Sequence, residues 1–246
     1  MIDIGSGAGA ALALGFLLGL KHATDADHVV AVSTIVSEYR NAWRGLWVGA
    51  SWGLGHTTPL LIAGIAILLL KEPAAQLYED YAPFLEFGVG VMLVFLGLQV
   101  FWNFRRRRIH VHEHEHEDDP HRHLHTHELT TTPESHHGFL QMGKPFFRLK
   151  SYMVGVVHGL AGSAAVMLLV LTTDVVSSFL VGLFYILLFG VGTILSMSVI
   201  TLLMGIPFSM SGRFERVNRA IAGVAGMASI SFGLFLMYEL AIVQGL

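Results

Sequence analysis

The chain has 246 residues, of which 53% are hydrophobic and 13% charged, with 18 acidic side chains against 15 basic ones and a mean hydropathy of +0.60. A water-soluble domain carries roughly 25% charged residues, and a larger core does not explain the shortfall, because surface still grows with size. An ordinary soluble globule is therefore excluded, much of the surface is expected to face lipid, and no nucleic-acid partner is expected; with no cysteine, disulfides and thiolate metal sites are excluded as well.

A membrane helix needs about 20 mostly apolar residues, and six segments qualify. The first runs from about Ile4 to Val36 and is interrupted by a polar patch at 21–28. It is too long for one straight span, so a break or kink is expected near Lys21–His28. It also lacks the basic start of a signal peptide. The second, 45–70, contains Trp52-Gly-Leu-Gly-His56-Thr-Thr-Pro59, and the third is 84–104. The segment 105–150 opens on Arg105–Arg108 and then alternates histidine with polar residues, placing His110, His112, His114, His116, His121, His123, His125 and His127 in one tract. Such a pattern has no apolar face and is expected to be a flexible loop. Its imidazoles are expected to bind several divalent ions weakly; the alternative is a plain solvated linker. The remaining spans are 152–172, 178–205 and 218–244. The expected architecture is all-α and membrane-integral. A first three-helix repeat covers 1–104, the His-rich loop 105–150, and a second three-helix repeat 151–246.

Basic residues sort the connections. Arg40 and Arg44, Arg105–Arg108 with Arg122, Lys144, Arg148 and Lys150, and Arg213, Arg216 and Arg219 fall in alternate connections. The other two connections hold Lys71 against Glu72, Glu79, Asp80 and Asp174. The positive-inside rule then places the long loop in the cytoplasm and both termini outside.

The halves resemble each other. His22 precedes His158 by 136 residues, Gly90 and Gly97 precede Gly226 and Gly233 by 136, and Gly53-Leu-Gly55-His56-Thr57 precedes Gly190-Val-Gly192-Thr193-Ile194 by 137. Three spans per unit is an odd number, so the second unit would enter from the opposite face. Inverted repeats of this kind place their sites near the midplane on interrupted helices. Gly155, His158, Gly159 and Gly162 are expected to loosen the helix that answers the first span.

The segment Lys21-His22-Ala-Thr-Asp25-Ala-Asp27-His28 carries charge into an apolar region, where one charged residue at a helix centre costs about 2.5–3.5 kcal/mol. A bound cation is the natural compensation. Helical spacing puts His22, Asp25 and His28 on one face, and a break would bring Asp27 in as well. The four histidines outside the loop, His22, His28, His56 and His158, all lie in or beside spans. With Asp25 and Asp27 they form the candidate metal set. Imidazole with carboxylate suits nickel, cobalt, zinc or copper better than magnesium or calcium. The competing readings are an interfacial loop at 21–28 and helix–helix hydrogen bonds at His56 and His158. Glu86 and Glu239 read as interfacial, and Asp174 as a cap or loop residue.

At these residues the sequence resembles the nickel/cobalt transporter (NiCoT) superfamily, and within it the shorter urease-accessory, UreH-type permeases. His22, four residues, then Asp27-His28 fits that family's first signature, and Gly55-His56-Thr57 fits its second. The resemblance implies transport of nickel or cobalt, with His22, Asp27, His28 and His56 at the site. The metal would be the substrate rather than a resident cofactor, and a cytoplasmic metallochaperone or urease maturation machinery would be a partner. The longer members have about eight spans against six here, and their later acidic and threonine signatures are replaced by Gly155–Ala165. The chain has no Gly-x-x-x-x-Gly-Lys-Ser/Thr element, so a secondary permease, not an enzyme, is expected. The alternatives are a membrane metal sensor or chaperone platform without transport, and a membrane metalloenzyme.

Overall fold

The computed structural model describes residues 6–37, 42–106, 110–114, 121–125, 147–161, 168, 170–173, 176, 178–210, 215–243 and 245–246. Apart from one hairpin, the described elements are helical, as an apolar chain in lipid requires: water is absent, so each backbone group must be paired within its own segment. The helices are α1 (Ser6–His22), α2 (Ala26–Val36), α3 (Ala42–Leu70), α4 (Glu72–Arg106), α5 (Leu149–Gly159), α6 (Phe179–Met210) and α7 (Glu215–Tyr238), the last continuing into a π-helical turn, Glu239–Val243. Four of them, α3, α4, α6 and α7 with its π turn, are long and apolar enough to cross a membrane. They match the second, third, fifth and sixth expected spans, although α4 begins twelve residues before the expected Phe84.

The first expected span is two short helices. The α1 helix ends at His22, and two tight bonds, Thr24 N–H to Lys21 O at 2.9 Å and Asp25 N–H to His22 O at 3.0 Å, turn the chain. Thr24 Oγ1 also donates to Lys21 O at 2.6 Å. Asp25 is then extended, with φ −63° and ψ 149°, and starts α2. Threonine and aspartate favour such a turn because their side chains compete with the helical ladder. Pro59 lies within α3 and does not end it. Lys71, at φ 52°, reverses the chain from α3 into α4.

The fourth expected span appears in the described residues as the eleven-residue α5; residues 162–167 lie outside them. Of the glycines expected to loosen this helix, Gly155 and Gly159 also hold it close to α3. A Cβ on Gly155 would run into the carbonyl of Trp52, and one on Gly159 into the backbone of His56. This small-xxx-small pair lets two backbones touch, and α5 ends at the second of them, Gly159. Comparable approaches recur through the bundle. A Cβ on Gly19 would meet the backbone of Phe189, one on Gly192 that of Phe16, and one on Gly55 that of Tyr152. Gly53 lies against Ile194 and Gly190 against Thr57, while Gly90 meets Gly233 and Gly97 meets Gly226. Thus α3 packs on α6 and α5, α1 on α6, and α4 on α7.

The bundle is apolar outside, and its largely apolar interior also holds several polar side chains. Ser51, Thr193, Thr201 and Ser229 are buried, whereas Phe84, Phe95, Leu98 and Trp102 of α4 and Val224, Phe235 and Tyr238 of α7 are exposed. Ser229 Oγ donates to Leu93 O at 2.7 Å, tying α7 to α4. In the long loop, β1 (His110–His114) pairs antiparallel with β2 (His121–His125). The loop was expected to be flexible, and its alternation also has the period of a strand. A lone two-stranded hairpin is marginal in water.

Candidate metal site

The break after α1 decides the geometry. It turns α2 so that Asp27 and His28 face α3 and α5, while His22 stays on the last turn of α1. His22 Nε2 lies 2.9 Å from His56 Nε2 of α3. Asp27 spans two partners, with Oδ1 3.0 Å from His28 Nδ1 and Oδ2 2.8 Å from His158 Nε2 of α5. His28 is central. Its ring centroid is 4.1 Å from that of His158, 4.6 Å from His22 and 4.9 Å from His56. His28, His56 and His158 are fully buried.

Two overlapping groups follow. His22, His28 and His56 each offer a ligand atom within 4.8 Å of the others, and so do Asp27, His28 and His158. His28 belongs to both. Among the described residues, His28 Nε2, His56 Nδ1 and His158 Nδ1 are buried with no hydrogen-bond partner. Burying a polar atom unpaired costs about 1–3 kcal/mol, so three in one cluster point to a ligand. The donor set, imidazole nitrogen with one carboxylate and no thiol, is that of borderline divalent metals.

Asp25 lies behind His22. Its Oδ2 is 3.1 Å from His22 Nδ1, and Lys21 Nζ donates to its Oδ1 at 3.2 Å. It orients the ring so that Nε2 faces the cluster, as carboxylates commonly do for metal-binding histidines. Lys21 is largely exposed, its side chain 73% accessible. Exposed pairs are worth about 0–1 kcal/mol. Lys21→Met is therefore expected to leave thermal stability and nickel binding close to native, measured by melting and by calorimetry; a large loss of either would show that Lys21 belongs to the site.

The sequence profile of the high-affinity nickel-transport protein family (NicO) matches residues 8–235. The chain belongs to that family. It is 42% identical over 235 residues to the urease accessory protein UreH of Bacillus sp. (strain TB-90), covering 96% of this chain and 93% of that protein. It is 26% identical to the chloroplast protein FOR GROWTH AND FERTILITY 1 of Arabidopsis thaliana and 24% identical to FOR GROWTH AND FERTILITY 2. It covers 56% and 54% of those two proteins. No solved structure matches the chain.

Within this family member, the residues named from sequence fall into three classes. His22, Asp27, His28, His56 and His158 meet in one cluster, and Asp25 backs it. Of the loop histidines, His116 and His127 lie outside the described residues, and the other six are described in backbone only. Asp174 also lies outside the described residues. Two neighbours of the site were not foreseen. The Trp52 ring stacks on His28 at 6.3 Å and 16° and lies 5.7 Å from His158, and the Phe189 ring lies 5.5 Å from His22. Their positions, four residues before His56 and before Thr193, were the available signal.

Proposed function

We propose that this chain is a secondary permease that carries nickel, and cobalt by the same ligands, across a membrane. The observation that carries the reading is the meeting of His22, Asp27, His28, His56 and His158 in one buried cluster. These residues come from four helices and from both halves of the chain. The family match and the urease-accessory relative support nickel as the substrate. His22, His28 and His56 would hold the ion at one position and Asp27, His28 and His158 at the next, with His28 passing it between them. Such a cluster suits passage because neither position has a closed four-ligand shell.

We further read the bundle as six spans in two inverted three-helix repeats, the first and fourth spans being the short or broken ones. The glycine contacts support this. Shifting each residue of one contact by the repeat offset gives another: Gly19 on Phe189 becomes Gly155 on Trp52, Gly55 on Tyr152 becomes Gly192 on Phe16, and Gly90 on Gly233 becomes Gly226 on Gly97. A two-fold relation requires this exchange. By the same offset His22 answers His158, and His56 answers Thr193. The distribution of basic residues orients the loop to the cytoplasm and both termini outward.

The deciding experiment is flux of nickel, cobalt, zinc and magnesium into proteoliposomes, with and without a proton gradient. Nickel flux with saturation is expected. Binding without flux would establish the alternative, a non-transporting sensor or chaperone platform, and retained iron with redox turnover would establish a metalloenzyme. The His-rich loop would buffer nickel and hand it to a cytoplasmic metallochaperone or urease maturation machinery. Deleting 110–137 is then expected to remove several weak nickel equivalents, and their release on acidification, while flux through the bundle persists. Loss of flux on deletion would place the loop on the transport path.

A further inference from the structure

We propose that Trp52 and Phe189 are the two gates of the metal path, Trp52 closing it toward the face that carries the 105–150 loop and Phe189 toward the face that carries the Lys71 reversal. The inference rests on the permease reading and adds to it which side chains hold back water and ions on each side.

Both rings are buried, at 0% and 2% exposure. Each covers a histidine of the cluster, Trp52 over His158 and Phe189 over His22. They occupy matching places, since Trp52 and Phe189 differ by 137 and His22 and His158 by 136. The backbone contacts match too, with Gly155 on the Trp52 carbonyl and Gly19 on the Phe189 carbonyl. One aromatic–histidine–glycine arrangement therefore occurs twice, each copy taking its ring from one half of the chain and its histidine and glycine from the other.

The two copies lie at different depths. The α3 and α6 helices run antiparallel, since Gly53 meets Ile194 while Gly64 meets Ile186. In this register Phe189 sits level with about residue 58 of α3, so Trp52 and Phe189 are separated by roughly six residues, or ~9 Å at 1.5 Å per residue. His56 lies between them. Ser51, next to Trp52, accepts a hydrogen bond from Arg148 N–H at 2.9 Å, at the start of α5 and hence at the loop face. Beyond His158 in the other direction, Tyr78 Oη donates to Ala161 O at 3.0 Å, near the Lys71 end of α4.

Apolar rings suit this task. A hydrated divalent ion cannot pass an indole or phenyl wall without losing water, and hydrophobic constrictions close pores by excluding water. Neither ring offers a ligand that would trap the ion. Alternating access needs one barrier on each side of the site, moved one at a time, and this pair supplies both.

Because the chain has no cysteine, Thr193→Cys gives a single reporter at the level of the cluster, where Thr193 is buried. Intact cells and inside-out vesicles present the two faces separately to a charged, membrane-impermeant thiol reagent. Trp52→Ala is expected to speed labelling from the loop face by at least about tenfold, a barrier change of about 1.4 kcal/mol, and to leave labelling from the Lys71 face unchanged. Phe189→Ala is expected to do the reverse. Trp52→Phe, which keeps an aromatic ring, is expected to restore slow labelling. Where an alanine variant is not recovered folded, Trp52→Leu and Phe189→Leu fill the volume and carry the same expectation in weaker form. Equal acceleration from both faces, or none from either, would overturn the proposal. Nickel flux through the otherwise native protein separates the two readings. Absent flux with one-sided labelling sinks the permease and keeps the gates, whereas normal flux with unsided labelling sinks the gates alone.

Discussion

Replacing His28 with alanine is expected to reduce nickel flux to background while the protein still reaches the membrane. The reason is its position. His28 is shared by both candidate ligand groups, and its ring touches those of His22, His56 and His158. Removing it leaves each group one ligand short. Loss of a residue that only orients a metal ligand costs roughly 10–100-fold in affinity, so loss of a ligand common to both positions should exceed about 100-fold. Asp25→Asn supplies the graded comparison. It weakens the hold on His22 Nδ1 and removes no member of either group, so its loss should stay within that same range of about 10–100-fold. Radioactive nickel uptake at matched membrane protein levels measures both. A structural reading of the cluster makes a different forecast. If His28 only filled core volume, leucine would substitute for it with little effect on flux. Native flux in His28→Ala, or in a folded His28→Leu variant, would remove the site as assigned.

What the sequence made legible here is the set of groups whose cost in lipid is large. Four histidines and two aspartates in apolar surroundings are expensive wherever they sit, so their convergence was expected, as was the break between His22 and His28. Long apolar runs bounded by charge likewise marked α3, α4, α6 and α7. The division of labour between Asp25 and Asp27 was harder to read. Continuous helical spacing groups Asp25 with His22 and His28, but the turn at Ala23–Asp25 rotates α2, so Asp27 reaches His158, 131 residues away, and Asp25 is left behind His22. No local periodicity encodes a contact at that separation. The glycines of α5 have a second role that the segment alone does not reveal. A small residue in a helix lowers its intrinsic stability, in keeping with the end of α5 at Gly159, but the close approach that small residues permit depends on the partner helix. Trp52 and Phe189 were not singled out, because nothing in a single aromatic residue says which ring it will cover.

The glycines of α5 carry the second large effect. Gly159→Ala and Gly155→Ala are each expected to cost at least about 2–3 kcal/mol, the upper range for overpacking a close-packed interior, and to reduce the yield of monodisperse protein sharply. The added carbon at Gly159 would meet His56 Cα at 2.8 Å, and at Gly155 it would meet His56 N at 2.9 Å. These are backbone atoms of α3, which cannot swing aside as a flexible side chain would. Relief requires moving α5 away from α3, and that shifts His158 relative to His56 and Asp27. Stability and metal affinity should therefore fall together, although neither glycine touches the ion. Gly88→Ala in α4 is the control. Among the described residues nothing lies within 4 Å of the added carbon, and alanine is favoured over glycine in a helix interior by up to about 1 kcal/mol. It should leave flux unchanged and raise the melting temperature slightly. Thermal melting in detergent, paired with nickel titration, reads both quantities. If Gly159→Ala melts and binds nickel as the native protein does, α5 is not clasped to α3 as described, and the placement of His158 in the cluster fails with it.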